Sequence, residues 1–244
     1  MAAFWNNSNI VKLLLSKGAN PLTLPLDFAI LHGFEDAAEY IIQDNSEIIN
    51  TYLYIHMAIE VENSKIVHLL LSKGANVDAR DELKRTPLHL ATERKNCEII
   101  QLLLDYNADI NAYQRHVLTP LQIAIRLKDI KSTKILLQNG ANPNFAPNFQ
   151  QGYRLIPIHV GVSHESLEIV ELLIAYNADL NIKDHRGFTP MHVAIHKRNV
   201  KMMKGLLLNG AAVDIQDING NNAFEKALIM DLDHAAKMIW FNQL

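Results

Sequence analysis

Apolar and polar positions along this 244-residue chain fall into blocks that return at a nearly fixed interval. In one block, Leu88, Leu90 and Ala91 follow Thr86 and Pro87. Thr is a good N-cap, and Pro in the first helical position gives up only an N–H that would have gone unpaired, so the block predicts a short helix from Pro87. A polar break at Arg94-Lys95-Asn96 comes next, and then Ile99, Ile100, Leu102, Leu103 and Leu104. An apolar stripe that wide belongs to a helix packed on two sides. The second helix is predicted to stop at Asn107, whose equivalents in the other blocks are Gly18, Gly74, Gly140, Asn177 and Gly210. Gly and Asn are the residues that best tolerate the left-handed conformation of a helix C-cap.

TPLHLA at 86–91, TPLQIA at 119–124, IPIHVG at 156–161, TPMHVA at 189–194 and NAFEKA at 222–227 lie 33, 37, 33 and 33 residues apart; LPLDFA at 24–29 and YIHMAI at 54–59 are weaker copies. A fixed period of this size marks a stacked repeat protein. The TPLH-x-A segment within a 33-residue unit resembles the ankyrin repeat, and the resemblance covers essentially the whole chain. It implies an all-α ankyrin-repeat solenoid of stacked helix-turn-helix units with short β-hairpin fingers. The chain then reads as a single domain over 1–244, with a half repeat at 1–20 and degenerate repeats at 21–50 and 51–77. Regular repeats follow at 78–110, 111–147, 148–180 and 181–213, and a C-terminal capping repeat at 214–244.

From the cap position to the next proline position is 13 residues in the regular units, but 7 at Gly18–Pro25, 9 at Asn45–Tyr54 and 17 at Gly140–Pro157. The first two fingers are therefore expected to be stunted, and the one around PNFAPNFQQGYRL lengthened. Insertions in such arrays map to loops on one face, often the binding face. At the far end, Ala235, Ala236, Met238, Ile239, Trp240 and Phe241 predict a last helix that is unusually apolar for an end cap. Its outer side is expected either to be covered by a partner or a continuation of the chain, or to fold its aromatic pair under the last repeat.

A net charge of -3, with 20% charged residues, gives no global pull toward nucleic acid, so any basic surface must be local. No segment approaches eighteen uninterrupted apolar residues, and MAAFWNNSN lacks the basic and apolar regions of a signal peptide, so no membrane insertion is expected. The single cysteine, Cys97, cannot form an internal disulfide, which suits a reducing compartment: the cytoplasm, or a host-cell cytosol for a secreted effector. The sequence holds no HExxH, CxxC, Walker-type loop or GxGxxG, and neither an enzyme, a cofactor nor a metal is expected.

His56, His89, His159 and His192 occupy one repeat position. Stacked helices lie about 8–10 Å apart, whereas metal ligands converge within about 2 Å of one ion, so these imidazoles cannot share a metal. Each is expected to bond backbone in the finger and tie it to its helix, as the resemblance also implies. Gln122 fits the same role, and Glu225 departs from it.

Positions that the repeat does not need for its own packing lie on finger tips and at the solvent-facing ends of first helices. In ankyrin-like arrays these form the concave binding surface. By alignment they include Arg85, Arg94, Arg115, His116, Leu118, Arg126, Tyr153, Arg154, His185, Arg186, Phe188, His196 and Lys197. Arg85 reads as the residue of its block left free, and Leu118 and Phe188 as apolar groups whose exposure would mark an interface. Arg and Tyr dominate interface energetics, and Arg pairs well with carboxylates. The expected function is non-enzymatic protein–protein interaction with an acidic or phosphorylated segment. Two alternatives stand beside it: a secreted effector of an intracellular microbe acting on host proteins, or the binding segment of a longer multidomain protein whose catalytic part lies elsewhere. A monomer is expected, with association through the apolar C-terminal helix as the other reading.

Overall fold

The computed structural model describes Lys17 and residues 26–44, 49–50, 53–114, 118–147 and 155–241. The half repeat at 1–20 (Lys17 apart), the first short connection and the tip of the lengthened finger lie outside the described residues. Among those described the regular structure is helical, and no β-strand is found. The chain divides into two compact units, residues 1–115 and 116–244.

In the first unit, helices α1 (Leu26–Leu31), α3 (Tyr54–Glu60) and α5 (Pro87–Glu93) alternate with α2 (Glu35–Asp44), α4 (Ser64–Ser72) and α6 (Cys97–Asp105). The second unit alternates α7 (Pro120–Arg126), α9 (Pro157–Ser163), α11 (Pro190–His196) and α13 (Ala223–Ile229) with α8 (Ile130–Gln138), α10 (Leu167–Ala175), α12 (Val200–Leu208) and α14 (Asp233–Phe241). Within each unit, a first helix packs on its own second helix and on the first helix of the next repeat, and second helices stack likewise, giving two helical layers. The core lies between the layers. Ala58, Ala91, Ala124, Ala194 and Ala227 are wholly buried at one repeat position, where a small side chain lets the layers approach.

The ends of the helices follow from their residues. Thr86, Thr119 and Thr189 sit in extended backbone before a Pro and close a capping box with the residue three positions on: His89, Gln122 and His192. Each second helix from α4 on whose N-cap is Asn63, Asn96, Asp129 or Asn199 receives a side-chain cap, the carbonyl or carboxyl oxygen accepting an N–H three residues later. The expected left-handed caps occur at Gly74, Asn107, Gly140, Asn177 and Gly210, with φ of 93°, 61°, 90°, 64° and 82°. First helices end the same way on residues the sequence does not advertise: Glu62, Lys95, Lys128, Glu165, Arg198 and Asp231 all have φ between 53° and 58°.

Among the described residues the fingers show no strand ladder, where short β-hairpins were expected. Three of them are tight turns, each built on one aspartate. Asp81 Oδ1 accepts the N–H groups of Leu83 and Arg85, Asp184 Oδ1 those of Arg186 and Phe188, and Asp217 Oδ1 those of Asn219 and Asn221. A backbone bond then closes each loop, as from Asp184 N to Phe188 O at 2.9 Å. With the turn satisfied by a side chain, few backbone groups remain for a ladder.

Candidate partner-binding groove

The recurring histidines hold repeats together. His56 Nε2 donates to Arg85 O at 3.1 Å, His159 Nε2 to Phe188 O at 2.8 Å, and His192 Nε2 to Asn221 O at 3.1 Å. In every case the acceptor is 29 residues on, so the tie runs to the finger of the following repeat rather than to the histidine's own, as the sequence had suggested. Gln122 does the same through its carboxamide, to Leu155 O, 33 residues on because of the four-residue insertion. On the opposite ring edge, His192 Nδ1 accepts from Thr189 N–H and meets its hydroxyl at 2.8 Å. At His56 and His159 the cap residue is Leu53 or Ile156, and the buried Nδ1 has no partner. Burial holds the imidazoles of His56, His159 and His192 below the usual histidine range, the backbone acceptors and nearby aspartates opposing it only in part. All three are neutral structural groups near pH 7.

The tied fingers and first-helix ends of the second unit enclose a groove of about 270 Å³. Buried Gln122, His159, Val160 and Val193 line it together with Leu118 and Leu155. Arg126, at the last position of α7, His164, at the C-cap of α9, and His185 and Arg186, on the following finger, complete its wall. One repeat on, Lys197 caps α11. Cations gather around His164: partial burial depresses its imidazole, and the charges of Lys128, Arg126 and Lys197 push it down further, while the Asp184 carboxylate in the same wall is held by Arg186. Arg126 and Lys197 form no ion pair among the described residues. Arg186 leans over the Phe188 ring at 4.5 Å and reaches Asp184 at 3.4 Å, yet its side chain stays half exposed.

Of the residues the sequence singles out, Leu118, Arg126, His185 and Arg186 thus line one groove, and exposed His196 and Lys197 end the neighbouring helix. Two readings need correction. Arg85 is not free: its Nε donates to Asp81 Oδ2 at 2.7 Å and its Nη1 to Glu93 Oε2 at 2.8 Å, so two carboxylates already neutralise it. Leu118 and Phe188 are buried rather than exposed, at 3% and 7%, because the first lies beside the helix start and the second is clasped between Arg186 and Lys226. Arg94, in the first unit, pairs with Glu60. Arg115, His116, Tyr153 and Arg154 lie outside the described residues. The finger aspartates Asp81, Asp184 and Asp217 escaped the sequence reading, although each stands six residues before its block's proline position.

Family models of ankyrin repeats match residues 55–147 and 144–217, and a single-repeat model matches 1–24. The chain belongs to the ankyrin-repeat family. The ankyrin repeat domain of Bcl-3 superposes with a TM-score of 0.78 at 23% identity, covering 86% of this chain and 97% of that one. The ankyrin repeat protein EF0377 gives 0.65 at 22% identity, covering 76% and 95%. Among curated proteins, the ADP-ribosylation factor GTPase-activating proteins AGD2 and AGD4 of Arabidopsis thaliana are 35% identical over 89 residues and 38% over 82. These stretches are 36% and 33% of this chain but only 11% and 10% of those relatives. An array of ankyrin repeats is a protein-interaction module. Among the described residues no helix is long and apolar enough to cross a membrane.

Proposed function

We propose that the ankyrin repeats of the second unit bind an acidic or phosphorylated segment of a partner protein, without catalysis, in the groove between α7, α9 and the 184–188 finger. The observation that carries this reading is the cluster of cations around His164, with Arg126 and Lys197 uncompensated beside an apolar-lined cleft. A carboxylate or phosphate arriving there gains charge-assisted hydrogen bonds from an Arg that no internal acid has claimed. His185, Arg186 and His196 extend the surface. Cytoplasmic residence agrees with the lone thiol of Cys97.

The test is charge reversal. Fluorescence anisotropy with a labelled acidic peptide and its phosphoserine counterpart is expected to show binding at least tenfold weaker for Arg126→Glu with Lys197→Glu, at an unchanged melting temperature. Equal binding by the variant would sink the proposal. A second reading, that these repeats serve a longer multidomain protein with its catalytic part elsewhere, is favoured by the small share of the Arabidopsis relatives that the match occupies. Sequencing the complete transcript decides it.

A further inference from the structure

In the first unit, Arg85 on a finger reaches Glu93 at the end of α5 at 2.8 Å, so an ion pair spans the gap between finger and helix. One interval of the second unit has no such bridge. The positions equivalent to Arg85 and Glu93 are there Leu155, which cannot form an ion pair, and Ser163, the shortest side chain in a column that elsewhere holds Glu93, Arg126, His196 and Ile229. One repeat further on, Phe188 fills the finger position and is clasped between Arg186 and Lys226. The unbridged interval is the groove of about 270 Å³, lined by buried Leu118, Ile156, Val160 and Val193 and edged by Leu155, which is 44% exposed. Arg126 stands in the same groove without an ion pair among the described residues. The carboxylate in that wall, Asp184, is already engaged by the Arg186 side chain and by the N–H groups of Arg186 and Phe188. A site for charge alone has no use for an apolar cleft, and a site for an apolar group alone has no use for the guanidinium beside it.

We propose that the groove recognises two neighbouring groups of one partner segment: an apolar side chain of leucine or methionine size in the cleft between Leu155 and Ser163, and a carboxylate or phosphate on Arg126. This rests on the acidic-segment reading given above and adds to it the residue that sets the segment's register. The size of the cleft selects the occupant. At about 270 Å³ it falls below the pockets of roughly 300–1,000 Å³ that enclose whole small ligands, and suits a single inserted side chain. An extended chain advances about 3.3 Å per residue, so groups that share so short a cleft come from residues no more than about two apart. The two contacts also differ in kind. Burial of the apolar side chain is not screened by salt, whereas the contact of the acid with Arg126 weakens as ionic strength rises. An acidic segment without the apolar residue keeps only the screened part.

Fluorescence anisotropy on the full chain tests it, with a labelled peptide that carries a central Leu between Glu residues, its phosphoserine counterpart, and versions of both with Ala in place of the Leu. The wild type is expected to bind each Leu peptide roughly tenfold or more tighter than its Ala version. That ratio should persist as salt is raised, while every affinity falls. In Ser163→Trp, whose indole occupies the cleft, the Leu and Ala peptides should bind equally. Leu155→Asn alters an exposed side chain, so it should fold as the wild type does and narrow the ratio about threefold. Circular dichroism melts separate a filled cleft from a lost fold. Equal binding of the Leu and Ala peptides by the wild type, with both still weakened by Arg126→Glu with Lys197→Glu, would overturn the paired recognition and leave the acidic-segment reading standing. Binding that ignores the charge reversal, or no binding of any of these peptides, would overturn both. A preference for Leu that survives undiminished in both folded variants would place the apolar contact elsewhere and overturn this proposal alone.

Discussion

A single histidine position shows how far one residue type can be read and where reading stops. That His56, His159 and His192 are backbone ties follows from their spacing, since no ligand could be shared across a repeat. That the tie crosses to the next repeat does not, because sequence gives the period and not the direction in which an imidazole points. The ring's second edge divides the set: Thr189 serves His192, whereas Ile156 leaves His159 Nδ1 unmet. Thr189→Val, which keeps the volume and removes the hydroxyl, is therefore expected to cost about 1 kcal/mol, seen as a melting temperature lower by roughly 2–4 °C. An unchanged melt would show that the backbone N–H of Thr189 alone satisfies the ring. Arg85 marks the opposite limit. Its partners, Asp81 and Glu93, are four residues before it and eight after, an arrangement that only the folded finger brings about.

At the scale of elements, the helices were legible because their periodicity, Thr-Pro starts and Gly or Asn stops agree with one another. The fingers were not, because a β-hairpin and an aspartate-held turn share the same polar, turn-rich composition. The difference matters at Gly187. Its φ is +69°, and a Cβ there would lie 2.9 Å from the Ile218 nitrogen of the next finger, a backbone atom that cannot swing aside. Ile218 N also donates to Arg186 O at 3.2 Å, joining adjacent fingers. Gly220 occupies the equivalent position with φ of +80° and open space around it. Ala at Gly220 thus suffers only the left-handed penalty of roughly 1–2 kcal/mol, while Gly187→Ala adds displacement of a neighbouring backbone. The expected order of melting temperatures is wild type, Gly220→Ala, Gly187→Ala. Equal melts for the two variants would mean that the fingers do not press on one another. Gly187→Ala is also expected to weaken acidic-peptide binding, since Arg186 and His185 stand on the same turn.

Across the whole molecule, stability in a repeat array is close to a sum of repeat and neighbour terms, so ties that recur should act together. Their response to pH has a definite sign. Burial lowers the imidazoles of His56, His159 and His192, so the folded state takes up a proton less readily than the unfolded chain. Stability from these groups is complete above the unfolded value of about 6.5 and declines as pH falls below it toward the lower folded values. The carboxyls act in a separate window. Burial raises Asp217 and Asp81, but for Asp217 the N–H groups of Asn221 and Asn219 with Lys226, and for Asp81 chiefly Arg85, outweigh it and leave both below the usual range. Their contribution holds above the unfolded value of about 3.9 and is lost only in stronger acid. Melting temperature measured from pH 8 to 3 is therefore expected to be level above about 6.5, to slope down through pH 6 to 5, and to fall again below about 4. His159→Gln supplies the control, because Gln122 already makes the same inter-repeat bond with a side chain that does not titrate. That variant should fold and lose part of the first slope while keeping the second. A melting temperature constant from pH 7 to 5 in the wild type would show that the ties accept a proton without breaking.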